Sequence, residues 1–134
     1  TDDAFRNVFF SIKKITKKNI ITVFGCGGNR DKLKRPIMLD IVSKNSDVVI
    51  ITSDNPRSES FELITKDMLS RSSNEEIKRY MIVEDREQAI KLGCTIAAQK
   101  KSLLLVAGKG HEKFQEINGV KIPFDDKKII IKYS

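Results

Sequence analysis

The chain has 134 residues, 40% hydrophobic and 32% charged, which suits one domain with one core and argues against wholesale disorder. No apolar run approaches the roughly 20 residues needed to span a bilayer, and Thr1-Asp2-Asp3-Ala4 has none of the regions of a secretory signal. The formal charge is +7, from 25 Lys and Arg against 18 Asp and Glu, but the lysines are scattered, there is no Trp, and no RNP-like or helix-turn-helix signature occurs. A solvated lysine-rich surface is therefore favoured over a nucleic-acid groove.

In chain order, Phe5, Val8, Phe9, Ile12 and Ile15 recur at helical spacing, with Asp3 as a candidate N-cap. Ile20 to Phe24 is short, β-branched and apolar, a buried strand, and leads into the turn Gly25-Cys26-Gly27-Gly28. Pro36 suits the first turn of a helix carrying Ile37, Met38, Ile41 and Val42. Val48 to Ile51 is a second strand, followed by a loop from Thr52 to Ser60 and a helix from Phe61 to Leu69 with Leu63, Ile64 and Met68 apolar. Ser70 to Glu76 reads as a loop grading into a short helix, and Tyr80 to Val83 as a third strand. Asp85 caps a helix whose Ala89, Leu92, Ile96 and Ala97 face inward, and Leu103 to Val106 forms the fourth strand.

Four alternations of strand and helix, with nearly continuous apolar strands, predict an α/β fold: a mainly parallel, Rossmann-like sheet with helices on both faces. The tail differs. Phe114 to Ile117, Asn118-Gly119 and Val120 to Ile122 predict a hairpin with a type I′ turn. Ile129-Ile130-Ile131 fits an edge strand or a short helix, and the run is too short to choose. With no internal repeat or linker, residues 1–134 read as a single domain.

Ligands of open α/β sheets bind beyond the carboxyl ends of the strands, and three loops at that edge carry the unusual residues. Gly25 to Asp31 is neither a Walker P-loop nor a GxGxxG turn. Its glycines let backbone N–H groups face a ligand, and Arg30 beside them suits a carboxylate or phosphate. Asp54-Asn55-Pro56-Arg57 sets an anion, an amide and a cation around a stiff proline, a set able to bind an amino-acid zwitterion; a plain Asx-Pro turn with a solvated arginine is the competing reading. In Gly108-Lys109-Gly110-His111-Glu112, the glycines admit a close ligand and Glu112 can receive an ammonium. His111 has no paired serine or cysteine motif, so a structural role is favoured over a catalytic one, and no residue is assigned to catalysis. Cys26 and Cys94 lack metal-type spacing and read as reduced cytosolic thiols rather than a disulfide or zinc site; no metal site is expected.

Taken together, FGCGGNRDKLKRP (24–36), TSDNPRSE (52–59) and AGKGHEKFQEINGVKIPFDD (107–126) closely resemble the UDP-N-acetylmuramoyl-tripeptide synthetases, the MurE-type Mur ligases. The opening helix and the Asp85-Arg86 segment fit as well, so the resemblance covers essentially the whole chain. It implies the C-terminal, amino-acid-holding domain of a bacterial cytoplasmic ligase of peptidoglycan synthesis. In that family ATP phosphorylates the D-glutamate carboxylate of UDP-MurNAc-L-Ala-D-Glu, and the amine of a diamino acid attacks the acyl phosphate. The first domain of that family holds the UDP end and the central one the ATP and magnesium, and this sequence matches neither, so the isolated domain is expected to be inactive and to need no cofactor of its own.

Carried onto this sequence, the resemblance makes Arg30, Asp54, Asn55, Arg57, Gly108 and Glu112 substrate-binding, with the arginine ending the motif favouring meso-diaminopimelate over lysine. Asn29 stands where the family usually has aspartate. The Asp-Tyr-Ala-His stretch that helps grip the nucleotide is not found ahead of Thr1, which with the missing initiator methionine suggests an excised domain. Expected partners are the diamino acid and, through the other domains, the UDP-linked dipeptide and ATP, with no nucleic acid and no membrane. The competing function is a non-catalytic binding or regulatory module of ligase-like fold.

Overall fold

The computed structural model describes residues 2–109 and 112–134. The elements run α1 (Asp2–Ile15), β1 (Ile20–Phe24), α2 (Lys34–Asn45), β2 (Val48–Ile51), α3 (Phe61–Met68), α4 (Asn74–Arg79), β3 (Met81–Ile82), α5 (Arg86–Lys100), β4 (Leu103–Ala107), β5 (Phe114–Ile117), β6 (Val120–Pro123) and α6 (Asp126–Tyr133). β1 to β4 form one sheet in the order β3-β2-β1-β4, every pair parallel, and β5 and β6 form a separate antiparallel hairpin. The α/β class, the parallel sheet and the terminal hairpin are those expected.

β1 lies between β2 and β4, and all five of its residues are buried. Its alternating side chains feed two cores. Ile20 and Phe24 pack with Phe5 and Phe9 of α1, Leu39 of α2 and Ile64 and Met68 of α3. Ile21 and Val23 pack on the other face with Ala89, Ile90 and Cys94 of α5, joined by Ile129, Ile130 and Tyr133 of α6. Phe5 meets Phe24 edge to face, with centroids 5.7 Å apart. Burial on both faces is why these strands lack a polar alternation.

Several boundaries differ from expectation. α1 begins at Asp2, so Asp3 sits inside its first turn, where a carboxylate complements the helix dipole, rather than at the cap. The third strand shrinks to Met81–Ile82, an exposed edge ladder beside β2. Leu63 of α3 is 59% exposed; Ile64, Thr65 and Met68 make the inner face. On α5, Ile90, Gly93 and Cys94 are buried alongside Ala89 and Ile96, while Leu92 and Ala97 lie at the margin. The polar stretch ahead of β3 contains a full capping box, Ser73 with Glu76, which starts α4.

The undecided Ile129 to Ile131 run is helical. Asp125 caps α6 by accepting from the Lys127 N–H, and a helix cannot turn three successive residues to one core, so Ile131 faces solvent. The hairpin turn has Asn118 and Gly119 at φ 50° and 77°, the paired left-handed conformation of a type I′ turn. Cys26 and Cys94 are free, buried, and packed on opposite faces of the sheet. Burial pushes the Cys26 thiol up to about 12, so it stays protonated.

Candidate functional site

The loops after β1, β2 and β4 meet at the carboxyl edge of the sheet. β1 is flanked by β2 on one side and β4 on the other, so the chain's winding reverses there, the position at which doubly wound sheets open a crevice.

The first two loops are in backbone contact. The Gly28 N–H donates to Asn55 O at 2.7 Å, and a Cβ on Gly28 would lie 1.8 Å from Pro56 O. The glycine turn thus serves loop-on-loop packing, and this N–H is spent within the protein rather than turned to a ligand. Asn29 adopts φ 53°, donates its N–H to Glu59 Oε1 at 2.7 Å and accepts from Ser58 Oγ at 2.8 Å. Asparagine tolerates that left-handed conformation, and its two bonds clasp the loops together.

Arg57 also has positive φ, 55°, an uncommon conformation for a side chain of this size. Its backbone is fixed from both sides by the hairpin: its N–H donates to Glu116 O at 2.9 Å and its carbonyl accepts from the Asn118 N–H at 2.7 Å. Its guanidinium donates to Gly28 O at 3.0 Å and stands 3.8 Å from Glu116 Oε1. A Cβ placed on Gly27 would lie 2.9 Å from Arg57 Nη1 and 3.3 Å from Arg30 Cγ, so the two arginines flank one glycine. Arg30 is exposed and makes no hydrogen bond or ion pair with a described residue.

Asp54 and Asn55 are turned inward. Asn55, 1% exposed, accepts through Oδ1 from Lys109 Nζ (2.9 Å) and the Glu116 N–H (2.9 Å), and donates through Nδ2 to Glu112 Oε1 (3.1 Å). Asp54 Oδ1 lies 3.0 Å from Lys109 Nζ, an ion pair whose angles fall outside hydrogen-bonding range. The anion expected to meet a ligand's ammonium is therefore already matched by a buried lysine. Gly108 has φ 114°, and a Cβ there would meet Gly25 O at 3.4 Å. Glu112 is half-buried, with Oε1 engaged by Asn55. The reading of His111 falls, with Gly110, outside the described residues.

Three cations to which the sequence reading gave no role hold this edge together. Lys109 is one. Arg35 donates to both oxygens of Glu59 (2.9 and 3.0 Å), to Asp67 (2.8 Å) and to Gly27 O (2.9 Å). Burial alone would lower the Arg35 pKa, but Glu59 and Asp67 outweigh it and raise it. Arg35, followed by the Asn29 N–H, holds the Glu59 carboxyl down at about 2. Arg86 grips Asp126 with two bonds and donates to Ser53 O and Ala107 O, fastening β2, β4 and α6. A signal was present: Arg35 and Arg86 sit in the first turns of α2 and α5, where the helix dipole disfavours an unpaired cation.

A concavity of about 610 Å³ lies against the hairpin, lined among others by Ser53, Arg57, Arg86, Gln115 and Phe124. Of the six residues singled out from sequence, only Arg57 reaches it. Arg30 and Glu112 do not line it. Arg30 and Arg57, on either side of Gly27, can meet carboxylates, and Glu112, already engaged by Asn55, can meet an ammonium.

This is a doubly wound α/β domain with charged loops gathered at its switch point, the position at which folds of this kind bind ligands. The chain belongs to the Mur ligase family, glutamate ligase domain, whose model matches residues 1–110. The relatives it matches within that family are diaminopimelate-adding ligases by name. It is 50% identical over 131 residues to the UDP-N-acetylmuramoyl-L-alanyl-D-glutamate–2,6-diaminopimelate ligase of Cytophaga hutchinsonii, covering 97% of this chain and 27% of that protein. It is also 50% identical over 132 residues to the ligase of the same name from Bacteroides thetaiotaomicron and 44% identical over 130 to that of Aquifex aeolicus. A solved structure of a ligase of that name superposes with a TM-score of 0.89 at 40% identity, over 99% of this chain and 27% of that one. The chain thus spans about a quarter of the length of the relatives it matches. None of the helices in the described residues is long and apolar enough to cross a membrane.

Proposed function

We propose that residues 1–134 are the amino-acid-binding domain of an ATP-dependent ligase that adds a diamino acid, meso-diaminopimelate, to UDP-MurNAc-L-Ala-D-Glu in the bacterial cytoplasm. The observation that carries this reading is the flanking of Gly27 by Arg30 and Arg57, with Glu112 held by Asn55, two residues before Arg57 in the same loop. A diaminopimelate zwitterion has two carboxylates and two ammonium groups. Two guanidinium groups match the first, since Arg presents a planar fork to a carboxylate, and Glu112 matches one of the second. Lysine as substrate lacks the distal carboxylate and would leave one arginine without a partner.

The domain's contribution is positional. Holding the amine beside the activated carboxyl turns a bimolecular attack into an effectively unimolecular one. ATP and magnesium belong to the remainder of the enzyme, because this sequence contains no Gly-Lys-Ser/Thr P-loop. ATP supplies the acyl phosphate; Arg30, Arg57 and Glu112 orient the nucleophile. The 27% coverage of the relatives supports this division of labour.

The test joins this chain to the remaining domains of the ligase and assays tripeptide, ADP and phosphate. Formation dependent on both ATP and meso-diaminopimelate is expected. A correctly folded full-length protein that forms no tripeptide with diaminopimelate, lysine or ornithine would leave the non-catalytic binding module as the better reading.

A further inference from the structure

No described residue holds the Arg30 side chain, so where its guanidinium can reach depends on the backbone that carries it. That backbone runs between β1 and α2, with neither a helix nor a strand ladder to shape it. Its shape is set by other segments, and two residues do most of the holding.

The Arg35 guanidinium, 1% exposed, donates through Nη2 to Gly27 O and to Glu59 Oε1, both at 2.9 Å. Through Nη1 it donates to Glu59 Oε2 at 3.0 Å and to Asp67 Oδ2 at 2.8 Å. Two carboxylates and a carbonyl are what make so buried a cation tolerable. Glu59 Oε1 also accepts the Asn29 N–H at 2.7 Å. The pair therefore grips the turn on both sides of Gly28, at the carbonyl before it and at the amide after it, one residue short of Arg30. Gly28 itself is held by Asn55 O, and the Asn29 side chain by Ser58.

The anchors of this grip lie in the packed part of the domain. Arg35 is in the first turn of α2, Asp67 is in α3, and Glu59 precedes the α3 cap; both helices pack on the core through Leu39, Ile64 and Met68. Arg57 is located separately, its N–H and carbonyl bonded to the hairpin. The two arginines of the site thus take their places from different parts of the fold.

We propose that Arg35 and Glu59 are positioning residues for the diamino acid, which set where Arg30 stands relative to Arg57. The inference rests on the reading of the crevice as the diamino-acid site. It deepens that reading by giving a role in substrate binding to a pair whose charges are spent within the protein.

The test uses full-length ligase and separates the KM values of its three substrates. Glu59→Gln keeps the shape but puts an amide donor against Arg35 or the Asn29 N–H; Arg35→Lys keeps the charge but cannot fork between Gly27 O and two carboxylates. Each should raise the KM for diaminopimelate by roughly tenfold, about what one charge-assisted contact is worth, while the KM for ATP and for the UDP-linked dipeptide stay within about twofold. Because the pair acts through Arg30, Glu59→Gln in an Arg30→Met background should add no more than about twofold to the effect of Arg30→Met alone. A purely stabilising role predicts lowered thermal midpoints with the KM values unmoved. If Arg35→Lys fails to fold, Glu59→Gln, at a carboxylate with 16% exposure, carries the test. An unchanged KM for diaminopimelate, an equal rise for all three substrates, or a full independent rise in the double variant would overturn the proposal. If Arg30→Met raises the KM for diaminopimelate while Glu59→Gln does not, the site reading stands and the role of the pair falls. An Arg30→Met variant with an unchanged KM, or a wild-type enzyme indifferent to diaminopimelate, overturns the site reading and this inference with it.

Discussion

Replacing Arg86 with methionine should cost more than any ordinary surface change, and the structure sets the size of the loss. Arg86 is the first residue of α5, with a side chain 0% exposed. It holds Asp126 at 2.8 and 2.7 Å and reaches Ser53 O at 3.0 Å and Ala107 O at 3.2 Å. Methionine fills similar space and removes all four bonds. Deleting one partner of a buried pair costs about 3–5 kcal/mol. Asp126 keeps 16% exposure and can recruit water, which places the loss near the lower end, about 3 kcal/mol. Unfolding entropy of about 2.1 cal/mol/K per residue gives about 0.28 kcal/mol/K for 134 residues, so the thermal midpoint should drop by about 11 °C. Arg86→Lys keeps the charge without the fork and should lose about half as much. Circular dichroism melts of the 134-residue chain measure both. A fall of less than about 3 °C for the Met variant, or equal falls for Lys and Met, would refute the claim that a forked guanidinium fastens this edge.

Gly28→Ala would set a Cβ 1.8 Å from Pro56 O and force the first two loops apart, so urea unfolding should show a loss of about 2–3 kcal/mol; a neutral result would mean the loops do not pack as described. Glu59 titrates at about 2 rather than 4.5, first through Arg35 and then through the Asn29 N–H. Because its folded-state pKa is depressed, its stabilisation is complete above about 4.5 and fades as pH falls toward about 2. The melting gap between wild type and Glu59→Gln should therefore close across that window, and a gap independent of pH would contradict the pairing. Asn29→Asp keeps both the left-handed tolerance and an acceptor for Ser58, so its melt should stay within about 1 kcal/mol of wild type.

How far the fold was legible depended on where each segment's information lies. β1, β2 and β4 announced themselves because burial on both faces leaves unbroken apolar runs bounded by turn residues. β3 was blurred because a two-residue edge strand needs little apolar sequence of its own. Ile129 to Ile131 carries no period, and its helical state follows from the Asp125 cap and from packing of Ile129 and Ile130 in the α5 core. The three loops were found because glycine and proline chemistry is local. Their internal wiring was not. Lys109 meets Asn55 across 54 positions, and Arg86 meets Asp126 across 40. A sequence shows such charges but not their partners, so Asp54 read as an open anion when it is matched by a lysine.

The proposed function turns on the hold of Arg30 and Arg57 on the carboxylates of a diamino acid. Its most direct test is a competition: full-length ligase supplied with equimolar meso-diaminopimelate and L-lysine, with the two tripeptides quantified by mass spectrometry for wild type and Arg57→Met. The product ratio is insensitive to how much enzyme is folded. Wild type should favour the diaminopimelate product strongly, and Arg57→Met should erode that preference by roughly tenfold to a hundredfold, the cost of one charge-assisted contact. Equal incorporation of lysine by wild type, or an unchanged ratio in the variant, would contradict the claim.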